Sequence, residues 1–245
     1  VRAPPVRATS DFLFDVDSYR IVPRRTADQL LTLAPGVVLA NHGGIGHAST
    51  LYLRGFDAGE GQDVAYEVDG VLLNEHSNPH GHGYADPSFV PVEAIQRVLV
   101  REGPFDPRQP SYSVAGSIRY DLGVAERGLR FGLRYGSFHT TRALITYAPS
   151  GERDGTFVAA DAVRGDGFGP NRAHESVRLV ARIERVKDDV TWSLLGASHA
   201  QRFDSAGVVP EAAYLDRTLP CAAGRDAQFF CTVDPNQGGS GQRHL

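Results

Sequence analysis

The stretch that decides the fold is residues 128–147, GLRFGLRYGSFHTTRALITY. Leu129, Phe131, Leu133 and Tyr135 alternate with Gly128, Arg130, Gly132 and Arg134, and Ala143, Ile145 and Tyr147 alternate with Arg142, Leu144 and Thr146. A period of two places each set on its own face of a strand, so each segment has one apolar face and one that often carries arginine. The pattern returns downstream. Val177, Leu179, Ala181 and Ile183 alternate with Arg178, Val180, Arg182 and Glu184, and Val190, Trp192 and Leu194 with Thr191 and Ser193. In a soluble sandwich the apolar face meets a core and the charged face meets water. In a membrane barrel the apolar face meets lipid and the charged face the lumen. Alternation alone leaves both open.

Connector lengths favour the barrel. Turns fall around Ser137–Thr140, Ser150–Gly155, Gly165–Glu175 and Val186–Asp189, which predicts five strands, and no strand is read after Phe203. Long connectors on one end and short ones on the other match outer-membrane barrels, whereas so long a structureless stretch argues against a compact soluble domain. Five strands cannot close a barrel, so the sequence predicts an incomplete one.

Composition narrows the function classes. The 245 residues are 41% hydrophobic and 22% charged, with net charge −4, which is neither a disordered tail nor an electrostatically driven nucleic-acid binder. Lys187 is the only lysine. No run of apolar residues is long enough for a transmembrane helix. The chain opens at Val1 without a basic or apolar leader, which predicts that a secretory signal is either removed or absent. Cys221 and Cys231 lie too far apart for a CxxC site, and a local disulfide in an oxidising compartment is favoured over free thiols. No GxGxxG, GxSxG or HExxH sequence supports nucleotide binding or an enzyme.

Upstream of residue 125 the pattern is that of a small α+β domain with a mixed sheet. Arg24–Leu33 predicts an amphipathic helix capped by Thr26, burying Ala27, Leu30, Leu31 and Ala34 and stopped by Pro35-Gly36. Strands are predicted at Val37–Ala40, Thr50–Arg54, Val64–Val68, Val71–Leu73, Ile95–Val100 and Ser117–Leu122, with a turn at Asp69-Gly70 and a brief helical turn at Pro91–Ala94.

Five segments in order, ADQLLTLAPGV (27–37), LYLRGF (51–56), YEVDGVLLN (66–74), IQRVLVREGP (95–104) and VAGSIRYDL (114–122), resemble the plug domain of TonB-dependent outer-membrane receptors. The alternating strands after Arg127 stand where that family begins its barrel, usually of twenty-two strands. The resemblance implies an N-terminal periplasmic segment at 1–10, a plug at 11–125, and five barrel strands with a long extracellular loop at 126–245. Glu102 stands where the family has arginine before Gly-Pro, with Arg101 one place earlier.

The most chemically loaded segment is NEHSNPHGHGYAD (74–86), with His42 and His47 on an earlier loop. Three readings stay open: loop structure, ligand contact, or a transition-metal site. By resemblance this segment lies near the plug apex, which implies solute contact by His42, His47, His76, Asn78, His80, His82 and Tyr84. Arg54 and Arg101, costly to bury unpaired, are expected to pair with barrel carboxylates. The family implies active uptake of a scarce solute (a metal chelate, cobalamin or glycan) with no cofactor. Implied partners are TonB with its ExbB–ExbD motor, outer-membrane lipid, the solute, and a surface lipoprotein or other outer-membrane subunit. The alternatives are a receptor or scaffold of the same architecture that transports nothing, and a histidine-based metal-binding module. The implied location is the outer membrane of a Gram-negative bacterium.

Overall fold

A computed structural model of the chain describes residues 10–41, 45–151, 155–221, 231–232 and 239–244. The strands in chain order are β1 (Asp11–Asp15), β2 (Val37–Ala40), β3 (Thr50–Leu53), β4 (Phe56–Asp57), β5 (Val64–Val68), β6 (Val71–Leu72), β7 (Ile95–Glu102) and β8 (Gly116–Leu122), then β9 (Gly128–Tyr135), β10 (Thr141–Ala148), β11 (Phe157–Gly165), β12 (His174–Lys187), β13 (Val190–Ser205) and β14 (Gly239–His244). The first eight make a five-stranded mixed sheet ordered β1-β7-β8-β5-β6 and a three-stranded sheet β2-β3-β4. Only β5 and β8 run parallel within the mixed sheet. β9 to β14 form one antiparallel meander.

Local chemistry explains most of these elements. Asp69 and Gly70 both take positive φ, 48° and 81°, the two-residue turn whose twist suits a hairpin between β5 and β6. The face predicted for residues 27–34 is right: Ala27, Leu30, Leu31 and Ala34 are all buried. The helix type and cap are not. Asp28–Leu33 is a 3-10 helix, and Ala27 occupies the cap position without a side-chain bond. So short a segment, stopped by Pro35, gains little from α geometry and tightens instead.

Three strands escaped the sequence, the two-residue β4 beside β3 and two longer ones. β1 pairs along its whole length with β7, Asp11 opposite Arg101 and Asp15 opposite Arg97. The stretch after Phe203 holds a short helix, α1 (Glu211–Leu215), and β14, which pairs with the outer half of β13. The antiparallel sheet therefore has six strands, not five. The disulfide Cys221–Cys231 is formed.

Along β10, β11 and β12 one face is buried and the other exposed. Ala148, Phe157, Ala159 and Val180 belong to the same apolar cluster as Leu30, Leu51, Val64, Val100 and Ile118 of the N-terminal domain. The meander thus packs its inner face on that domain and shares its core. The outer face carries Leu133, Ile145, Leu179, Ile183, Trp192 and Leu194, all exposed, and among the described residues no second sheet covers it. Cross-strand register sets Arg164, Glu175 and Arg202 in one row at the upper rim and Arg185 with Trp192 in another at the lower rim. Ten residues of β12 separate Glu175 from Arg185, which at about 3.3 Å per residue and a 40° tilt is roughly 25 Å, the height of a lipid-facing band. Charged residues rim the band and apolar or small residues fill it.

Candidate functional site: the apex loop and the contacts with the wall

The loop between β6 and β7 rises from a clamp. Asn74 is buried, and its Nδ2 donates to the carbonyls of Gly61, Val64 and Gly83 at 2.8–2.9 Å while its Oδ1 accepts from the Tyr66 amide at 2.8 Å. One side chain so ties the start of β5 to both ends of the loop. At Gly61, with φ of +111°, an added Cβ would lie 2.6 Å from the Gly83 carbonyl, so only glycine lets the two segments meet.

Above the clamp the predicted residues divide into two groups. Tyr84 is buried, and its hydroxyl accepts from the Ala48 amide at 2.9 Å. Asn78 donates to the Glu75 carboxylate at 2.6 Å and accepts from the His80 amide at 2.9 Å. The polar atoms of both residues are engaged within the loop. The imidazoles lie outward. His76 shares a 3.0 Å hydrogen bond with the Tyr112 hydroxyl, and His82 Nδ1 lies 2.7 Å from the His76 carbonyl. His80 Nδ1 is 3.4 Å from the Glu60 carboxylate, and its ring is 5.3 Å from those of both His47 and Tyr84. His47 in turn meets Phe203 of β13 edge to face, at 5.3 Å. The earlier loop, through His47, therefore touches both the apex loop and the wall, at the end from which the 206–238 connector departs. His42 lies outside the described residues. Among the described residues, no three His, Cys, Asp or Glu side chains converge as a metal cage.

Glu60, Tyr112 and Phe203 were not anticipated. Tyr112 has a locally unusual backbone, φ +72°, but nothing in its neighbours Ser111 and Ser113 announces it. Phe203 reads as one more strand residue, and only assembly brings it to the loop.

Among the described residues the ion pairs fall into two sets. Arg54 pairs with Glu102 at 2.5 Å, and Arg101 lies 3.7–3.8 Å from Asp11 and Asp106, all within the N-terminal domain. Glu102, in the place of the family arginine, sits in β7 beside Arg54, and Asp11 is brought opposite Arg101 by β1. The ion pairs that cross to the wall run the other way, from wall arginines to carboxylates of the domain. Arg142 grips Glu93 with both terminal nitrogens, at 2.8 and 2.6 Å, and reaches Asp161 through Nε at 2.6 Å. Arg178 holds the other side of Asp161 and donates to the Ser88 carbonyl at 3.1 Å. Arg182 donates to Asp69 at 2.9 Å and to the Leu122 carbonyl at 3.1 Å.

These surroundings separate two carboxylates. Burial pushes Asp69 above its ordinary value, and the Leu122 amide and Arg182 only partly oppose it. Burial also pushes Glu93 up, but the Arg142 hydrogen bonds and charge outweigh it, and Glu93 is held below its ordinary value. The network is made of several modest, separable contacts around a shared apolar core.

Comparison with known proteins places this architecture. Residues 15–117 match the TonB-dependent Receptor Plug Domain family. Over 190 residues the chain is 28% identical to the vitamin B12 transporter BtuB of Vibrio vulnificus strain CMCP6, covering 72% of this chain and 29% of that protein. Its fold resembles the unliganded ferric citrate transporter FecA, with TM-score 0.68 and 17% identity, covering 86% of this chain and 34% of FecA. It also resembles the copper transporter OprC, with TM-score 0.62 and 16% identity, covering 83% of this chain and 32% of OprC. The chain thus spans about a third of the length of the relatives it matches. With the plug matched, its mixed sheet in place and antiparallel strands wrapped on one side of it, residues 15–117 carry the plug domain of TonB-dependent receptors, and the chain as a whole has the fold of the plug and adjoining wall strands of that family.

Proposed function

We propose that the full-length protein imports a scarce, bulky solute across the outer membrane, with the plug closing the barrel lumen until TonB pulls on the segment at 1–10. The single observation that carries this reading is the plug–wall contact. Glu93 and Asp69 are held by Arg142 and Arg182 through hydrogen bonds that can be broken one after another, around a core that can re-form. The long-connector end is read as extracellular, which puts His47, His76, His80 and His82 where solute arrives. Relatives named for vitamin B12, ferric citrate and copper favour a metal-bearing solute over a glycan. No covalent chemistry is required, and the work comes from the inner-membrane proton gradient through the ExbB–ExbD motor.

The test uses the full-length protein in an outer membrane whose own receptors are deleted, with labelled cobalamin and ferric chelates. Energy-dependent accumulation that stops when everything upstream of Asp11 is removed, with surface binding retained, supports import. Binding without accumulation in the parent protein overturns it in favour of a receptor that transports nothing.

A further inference from the structure

We propose that Arg164 and Arg202 together grip the phosphorylated headgroup of an outer-leaflet lipid at the upper rim of the lipid-facing band. The inference rests on the long-connector end being extracellular and the outer face meeting lipid, and it is independent of which solute is carried.

Three observations carry it. The first is direction. On β11, Arg164 follows Val158, Ala160 and Ala162 at a spacing of two, and on β13 Arg202 follows Leu194, Gly196, Ser198 and Ala200. Both arginines therefore stand on the outer face, away from the plug. The second is engagement. The inward arginines Arg142, Arg178 and Arg182 spend their guanidiniums on Glu93, Asp161 and Asp69. At the lower rim, Arg185 donates to the Glu184 carbonyl at 2.9 Å. Arg164 and Arg202 are exposed, and among the described residues neither has an ion-pair partner, although Glu175 lies opposite both in the register. The third is spacing and height. β12 separates their two strands, so the side chains start roughly 10 Å apart. They cap the band directly above Ala162, Val177 and Ala200, where hydrocarbon gives way to headgroups.

The chemistry selects the occupant. A guanidinium fits a phosphate through two parallel hydrogen bonds, and a lysine would offer only a point charge. Two such forks, one strand apart from touching, suit a headgroup with two phosphates better than a zwitterionic one, whose ammonium they repel. A lipid is favoured over free phosphate because the row below is apolar and exposed, with Val177 at its centre, so an acyl chain hanging from the headgroup lies against the wall. Glu175, between the arginines, opposes the phosphates; neutralising it should tighten the grip.

The probe is lipid A, a diphosphorylated disaccharide lipid, titrated into the delipidated full-length protein in detergent with bound lipid counted by native mass spectrometry. Arg164→Gln and Arg202→Gln should each weaken binding about tenfold, the loss of one charge-assisted contact. Glu175→Gln should strengthen it, and Arg185→Gln, at the lower rim, should bind as the parent does. All four positions are exposed, so the variants keep the fold. Lipid A stripped of both phosphates should not bind, and inorganic phosphate in excess should not displace the intact lipid. No binding by the parent, equal binding by the parent and both upper-rim variants, weaker binding by Glu175→Gln, an equal loss in Arg185→Gln, or displacement by inorganic phosphate overturns the proposal. The measurement needs no energy coupling. Its failure with uptake intact would sink the lipid contact alone, whereas loss of uptake with lipid A still bound would sink only the import reading.

Discussion

Glu93 sits in a single 3-10 turn, Val92–Ala94, yet its carboxylate takes both terminal nitrogens of Arg142 and lies 3.4 Å from Arg134. Because Arg142 is buried and is also bound to Asp161, removing the Glu93 charge unbalances a chain of alternating charges and not an isolated surface pair. Charge-assisted bonds of this kind contribute about 2 kcal/mol. A carboxylate whose folded value is depressed stabilises the folded state above its unfolded value, and that stability is lost as pH falls through the depressed one. Glu93→Gln should therefore lower the urea stability of the full-length protein in detergent by about 2 kcal/mol at neutral pH. The deficit should shrink towards zero as the pH is taken below the ordinary glutamate range. A deficit that is the same at both ends would show that Glu93 acts through packing. None of this was legible in the sequence, where Glu93 is one acid before a strand.

The outer face of β12 makes the membrane reading testable at the level of one strand. Leu179 is 42% exposed and Val190, on β13, is 53% exposed, so in water the two would tolerate arginine alike. Their places in the band differ. Leu179 pairs across to Ala160 and Ser198 in its middle, whereas Val190 lies opposite Lys187 beyond the lower rim. Leu179→Arg should cost about 2–4 kcal/mol on folding into lipid vesicles and Val190→Arg about 0–1. Equal costs, read from urea titrations in vesicles, would remove lipid from that face. The strands themselves were largely readable because their signal is a local period: β2 and β5 match their predicted bounds, and the predicted barrel strands fall within β9 to β13. β1 and β14 were not, since DFLFD and GSGQRH are short and weakly alternating, and each becomes a strand by pairing with a longer neighbour.

At the scale of the molecule, β1 is an edge strand of the mixed sheet and the first described strand after the proposed pulling point. Under the import reading it must leave β7 before the plug can rearrange. Leu13 lies opposite Leu99, and paired antiparallel Cα atoms are about 4.5–5.5 Å apart, within disulfide range. Joining them as Leu13→Cys with Leu99→Cys should abolish uptake without lowering solute binding, and reductant should restore it. Uptake by the oxidised form would show that β1 stays in place during transport; the parent treated with reductant controls for Cys221–Cys231. By itself the sequence determined the alternating strands, the Asp69-Gly70 hairpin, the buried face of residues 27–34 and the order of the plug segments, because each is written in neighbours a few positions apart. The tertiary structure decided which charges meet. Arg54 turned to Glu102, the wall arginines claimed Glu93 and Asp69, and Phe203 came to His47. Those partners lie tens of residues or more apart along the chain, and the register of strand pairing, which no local spacing encodes, selects them.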